Sequence, residues 1–216
     1  MEFIINAPLH TDMLPLKEMA ADQFWEDCQG VALNMYDGSL PPDHWKTSVQ
    51  SFWSRDAIYI RFKGCYDQLR IAPAEIQPDS LTGKTHQLWD LSDVYEVFTG
   101  PEAKKSGIYK EFQVSPDSRR VDIALDASSE ERRSDFNWIS GMEAISQVDP
   151  QQQIWIGLFR IPFSAFNRTP DPDLIWNINF YRIGGEPDQQ FFMAWAPVHQ
   201  IAFHQPHKFG RIHFIH

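Results

Sequence analysis

Apolar and polar residues alternate with a period of two along most of this chain, the pattern of strands that bury one face. Ile58, Ile60 and Phe62 alternate with Tyr59, Arg61 and Lys63. Segments 108–114 and 121–125 repeat the pattern. Ile154, Ile156 and Leu158 form another apolar set, with Trp155 and Phe159 on the opposite face. Segments 175–183, 190–195 and 209–215 complete the predicted strands. Pro, Gly, Asp or Asn separates most of them, and 115–118 and 184–188 read as hairpin turns. Helical spacing is scarce: 16–25 predicts about two turns and 161–166 one, with Pro162 at an early helical position. Many strands and few helices predict an all-β fold, an antiparallel β-sandwich, rather than an α/β fold. Segments 71–87 and 126–149 predict no regular element, and long loops of this kind in an all-β domain often carry a ligand site.

No Gly/Ser-rich or charged linker divides the 216 residues, which predicts a single domain over 1–216, with 1–44 as an N-terminal part packed on its outside. The net charge of −10, from 29 acidic and 19 basic residues, repels a phosphate backbone. Arg119-Arg120 and Arg132-Arg133 both have acidic neighbours, so nucleic acid is not an expected partner. No apolar run reaches the roughly 20 residues that span a bilayer, so no membrane is expected either. The first residues lack the basic start and long apolar stretch of a secretory leader, which predicts a cytoplasmic protein, or a secreted one if a leader precedes these residues. Cys28 and Cys65 have no metal-ligand spacing and are expected to be free thiols, with one disulfide as the other reading.

The segment Trp89-Asp90-Leu91-Ser92-Asp93-Val94-Tyr95-Glu96-Val97-Phe98 resembles the carbohydrate-binding modules of family 9, in which a Trp precedes an Asp-x-Val-Glu-x-Phe-type strand. Tyr109-Lys110-Glu111-Phe112-Gln113-Val114 is similar to the strand that follows, and Trp176 to Ile183, Met193 to Pro197 and Phe203 to Ile212 continue the likeness in order from about Trp45 to the end. The nearest members are the uncharacterised, family-9-like ones. The resemblance implies a β-sandwich of the broader DOMON type that binds a sugar without catalysis, gripping it between two aromatic rings. It implies that Trp89 and Phe203 are those rings, although sugar-binding members carry Trp at the second position. It implies that Glu96 accepts hydrogen bonds from sugar hydroxyls, with Gln113 where the family often has Arg, and Asn179 or Asn177 as polar amides. Calcium is the cofactor the resemblance allows; Asp90, Asp93 and Asp117 are candidate ligands, but they form no calcium-loop spacing.

The residues themselves leave alternatives open. A pyranose offers an apolar face to flat rings and a belt of hydroxyls to carboxylates and amides. Yet with 8 Trp, 6 Tyr and 16 Phe, most rings must be core. Trp89 reads either as a cleft wall or as packing over a sheet edge. Glu96 shares a strand face with Val94 and Phe98 and so needs a partner: a ligand, an arginine such as Arg182, or a cation. Glu96 and Glu111 invite comparison with a glycosidase pair, but nothing in their spacing enforces it. His204-x-x-His207 is spaced for a metal in a loop that offers no further ligand. Met193 with His204 suggests a haem- or metal-binding redox module as the alternative function, and a protein-interaction domain without a sugar site is a third.

Overall fold

The alternating segments pair as their apolar faces require, into two sheets stacked face to face. The computed structural model describes residues 2–11, 15–171 and 174–216. Its strands, in chain order, are β1 Ile4–Pro8, β2 Val31–Ala32, β3 Asn34–Met35, β4 Thr47–Trp53, β5 Ala57–Cys65, β6 Val94–Gly100 and β7 Ile108–Val114. They continue with β8 Arg120–Asp126, β9 Arg133–Asp135, β10 Glu143–Asp149, β11 Ile154–Pro162, β12 Ile175–Gly184, β13 Phe191–Ala194 and β14 Gly210–Ile215. The large sheet runs β1-β14-β12-β6-β7-β8-β9, with β13 pairing β12 and β3; the small sheet runs β10-β11-β5-β4-β2. Among the described residues these strands pair antiparallel, except that β1 lies parallel to β14, and the isolated bridge between Leu9 and Trp53 is also parallel. Among the described residues helix is confined to short turns, α1 Leu88–Leu91, α2 Ala103–Ser106 and several 3₁₀ turns.

The predicted strands and both hairpin turns are present. The two helical expectations emerge as 3₁₀ turns, at Leu16–Ala20, Asp22–Trp25 and Phe163–Phe166, while Ile161 and Pro162 finish β11. The loop expected over 126–149 holds two strands, β9 and β10. Strand β10 buries few side chains, so its sequence carries little alternation to read.

Period two decides which residues meet. Ile58, Ile60 and Phe62 of β5, with Trp155 and Phe159 of β11, face Tyr95, Val97, Phe112, Ile178 and Phe180 across the sandwich core. The opposite set on the small sheet, Tyr59, Phe52 and Leu158, is roofed by the N-terminal 3₁₀ turns through Leu16, Met19 and Trp25. Asp22 holds that roof in place by pairing with Arg61 and Lys63. The rest of the N-terminal part joins the sheets as β1, β2 and β3 instead of lying outside them.

Arg182 on β12 is fully buried and faces the core. One of its terminal nitrogens donates to the carbonyls of Trp45 (3.1 Å) and Cys65 (2.8 Å) and to Thr47 Oγ1 (2.9 Å). Its guanidinium carbon lies 5.2–5.8 Å from the rings of Tyr95, Trp155 and Phe191. Because Arg182 pairs with Tyr95, one residue out of step with Glu96, it cannot be the partner of Glu96.

Candidate functional site

The outer face of the large sheet carries Val94, Glu96 and Phe98 on β6, Tyr109, Glu111 and Gln113 on β7, Tyr181 and Ile183 on β12, and Val121, Ile123 and Leu125 on β8. Most of its apolar members form a second cluster, closed by Phe203 and Phe209 from the segment between β13 and β14 and by Leu88 of α1. Phe203 stacks on Tyr181 with ring centroids 4.1 Å apart and planes at 15°, and Phe209 meets Phe98 and Tyr109 edge-on. The cover is incomplete. It leaves a cleft of about 230 Å³ whose lining includes Trp89, Glu96, Glu111, Gln113, Phe192 and Phe203.

Four of the five residues expected at the site therefore line one cleft: Trp89, Glu96, Gln113 and Phe203. Trp89 sits half-buried on α1, a single turn whose entry residue, Gln87, adopts a left-handed φ of 55°. Asn179 is the exception. It lies on the same face of β12 but outside the lining, and its amide is fully used: Nδ2 donates to Tyr181 Oη (2.8 Å) and the Ala196 carbonyl (2.9 Å), while Oδ1 accepts from the Phe180 and Ala196 amides. Asn177 accepts from the Lys104 amide at the far end of the strand.

At the floor, Gln113 joins two carboxyl groups. Its Nε2 donates to Glu96 Oε1 at 2.7 Å and to Glu111 Oε1 at 2.6 Å. Three oxygens remain buried without a partner: Glu96 Oε2, Glu111 Oε2 and Gln113 Oε1. Leaving a buried polar atom unpaired costs roughly 1–3 kcal/mol, more if it is charged, so three on one floor are unexpected unless something else completes them. Burial and the neighbouring Glu111 hold Glu96 well above the usual carboxylate range. Burial pushes Glu111 up to about 7 against the pull of Gln113 and Arg132. Above the floor, Tyr109 Oη and His204 Nδ1 are 2.9 Å apart, and burial lowers His204 to about 3, so the imidazole is neutral.

Glu111, His204 and Arg132 also line the cleft, and sequence reasoning did not place them at the site. A signal existed for Glu111: it lies two residues from Gln113 on an alternating strand and so must share its face. Arg132 and His204 come from loops, where period two says nothing.

Other expectations resolve differently. Glu96 and Glu111 are brought together, but on neighbouring strands of one floor and bridged by one amide, whereas a glycosidase pair flanks the scissile bond. Met193 is buried in the sandwich core and His204 lies over the outer face, so the two cannot share a haem iron. Among the described residues no three His, Cys, Asp or Glu side chains gather as a metal site. Of the calcium candidates, Asp117 is bound to Ser115 and Arg119, and Asp93 accepts from the Gly185 amide. Cys28 and Cys65 are free thiols.

No protein-family model and no curated protein matches the chain. Solved structures do. A candidate carbohydrate-binding protein from Bacteroides uniformis superposes with a TM-score of 0.75 at 17% identity, over 99% of this chain and 100% of that one. A family 9 carbohydrate-binding module from Caldicellulosiruptor kristjanssonii in complex with cellotriose gives 0.66 at 13% identity, over 98% of this chain and 93% of that one. A family 9 carbohydrate-binding module from the same organism in complex with glucose gives 0.64 at 13% identity, over 98% of this chain and 95% of that one. At these identities the likeness is one of architecture: the chain has the β-sandwich fold of the family 9 carbohydrate-binding modules.

Proposed function

We propose that this protein binds carbohydrate without catalysis, holding one sugar unit or the end of a sugar chain in the cleft over β6 and β7. The carrying observation is the floor. Three buried oxygens lack partners among aromatic side chains, and a ring of C–H faces and hydroxyls supplies what both surfaces need. Trp89 and Phe203 offer flat faces to the sugar ring, and Glu96, Glu111 and Gln113 take its hydroxyl hydrogens. The volume, about 230 Å³, is below the roughly 300–1,000 Å³ typical of drug-sized ligands and suits a single ring. The solved neighbours include modules with cellotriose and glucose bound, which supports the same reading.

Titration calorimetry against a panel of mono- and disaccharides tests it. Saturable binding is expected, weakened at least roughly tenfold in Trp89→Ala, with a change in tryptophan emission on saturation. No heat from any sugar, with the protein folded, would overturn the proposal.

A further inference from the structure

The floor of the cleft also selects among sugars. Once the carboxyls are ionised, the polar atoms left free there are acceptors: one oxygen each from Glu96, Glu111 and Gln113, residues that are 2%, 3% and 0% exposed. The side-chain amide nitrogen of Gln113 is already spent between the two carboxyls. A hydroxyl brings one hydrogen and two lone pairs, so it satisfies one such oxygen and turns its own lone pairs toward the others. An ammonium brings three hydrogens, no lone pair, and a charge opposite to that of the carboxylates.

Resting on the carbohydrate reading above, we propose that the preferred ligand is an amino sugar with a free ammonium group, seated on the oxygens of Glu96, Glu111 and Gln113. Among the described residues no cation is hydrogen-bonded to these three oxygens. Arg132 is the sole Lys or Arg lining the cleft among the described residues, and it stands exposed at the rim. The other titratable groups around the floor are Tyr109, facing His204, and Tyr181, which donates to the Phe203 carbonyl. The imidazole is neutral, so none of these offers a cation. Two carboxyl groups this close resist joint ionisation, and a cation set against both relieves them together.

The sign of the pH dependence follows. An ammonium favours the ionised carboxyls, which burial holds protonated, so binding releases protons. Affinity then rises as the pH climbs toward 7 and falls again once the sugar amine loses its own proton.

Calorimetry at pH 7 with glucosamine, glucose and N-acetylglucosamine, in two buffers of different ionisation enthalpy, tests this. Glucosamine is expected to bind roughly tenfold more tightly than either neutral sugar, with proton release seen as a buffer-dependent heat. Glu111→Gln is expected to narrow that ratio to within about threefold. Saturable binding of glucose as tight as that of glucosamine in the unaltered protein would overturn the amino-sugar preference and leave the sugar site standing. Absence of binding by all three would overturn both. The comparison on unaltered protein stands whether or not the variant folds.

Discussion

Glu111 and His204 pull the pH dependence of stability in opposite directions. Burial raises Glu111 from 4.5 to about 7, so its contribution is full below pH 4.5 and is lost as the pH rises through 7. Asp93, raised by burial to about 6, acts in the same sense. His204 is lowered from 6.5 to about 3, so its contribution is full above 6.5 and is lost as the pH falls from there toward 3. Between about 4.5 and 6.5 the effects oppose one another; above 6.5 only the carboxyl effect remains. The unliganded protein is therefore expected to melt at a lower temperature at pH 8 than at pH 6.5, and Glu111→Gln to flatten that slope. Calorimetric melting points across the range check it, and a midpoint that does not fall would contradict the buried pair. At this scale the sequence was readable wherever parity operated. Glu96 and Gln113 reach the cleft because both lie on the outward set of their strands, Glu96 directly opposite Gln113 in the register. Parity also puts Asn179 on that face, but not in the cleft. The residue opposite it in the register is Phe98, and the Ala196 backbone comes close enough to consume the amide, a contact set by a loop.

At the scale of the element, the close fit between sheets turns on Tyr95 of β6. Its ring stacks on Phe62 (centroids 4.6 Å apart) and Trp155 (3.7 Å), and its hydroxyl donates to the Trp155 carbonyl at 3.1 Å. It reaches the small sheet because the strands there present glycines, Gly64 on β5 and Gly157 on β11. A Cβ on Gly157 would lie 2.6 Å from Tyr95 Cδ2 and 3.2 Å from Val114 Cγ1. Gly157→Ala is therefore expected to cost about 1–3 kcal/mol in chemical denaturation, because the stacked ring has nowhere to go. A loss below a few tenths would mean that the sheets can separate there cheaply. An isolated glycine in a strand pattern signals close approach of something. The sequence does not say what approaches, since the partner is on the other sheet. Strand β1 was missed for a related reason. Its pairing with β14 joins residues from opposite ends of the chain, and local pattern carries no trace of so distant a neighbour.

At the scale of the whole molecule, the two outer faces of the sandwich are treated differently. The small sheet is roofed by the N-terminal turns, while the large sheet is roofed only in part, and the gap is the cleft. That asymmetry places a polar floor on an apolar sheet without exposing the core. The wall of the cleft from β8 to β10, which carries Arg132, Ser134 and Phe136, is long and poor in apolar residues, so packing alone would hold it weakly. Lys84 supplies the missing anchor. Its ammonium is buried and donates to the carbonyls of Asp122 (2.7 Å), Phe136 (3.1 Å) and Trp138, with Asp122 Oδ1 at 3.2 Å. Asp122 Oδ2 in turn accepts from the Ser140 amide at 2.7 Å. A primary amine so enclosed cannot meet an acylating reagent until the wall swings away. Lys84 should be labelled far more slowly than exposed Lys17, Lys46 or Lys104, and more slowly still when a saturating ligand holds the wall shut. Mass spectrometry of the acylated peptides would then report the opening of one wall of the cleft as a rate.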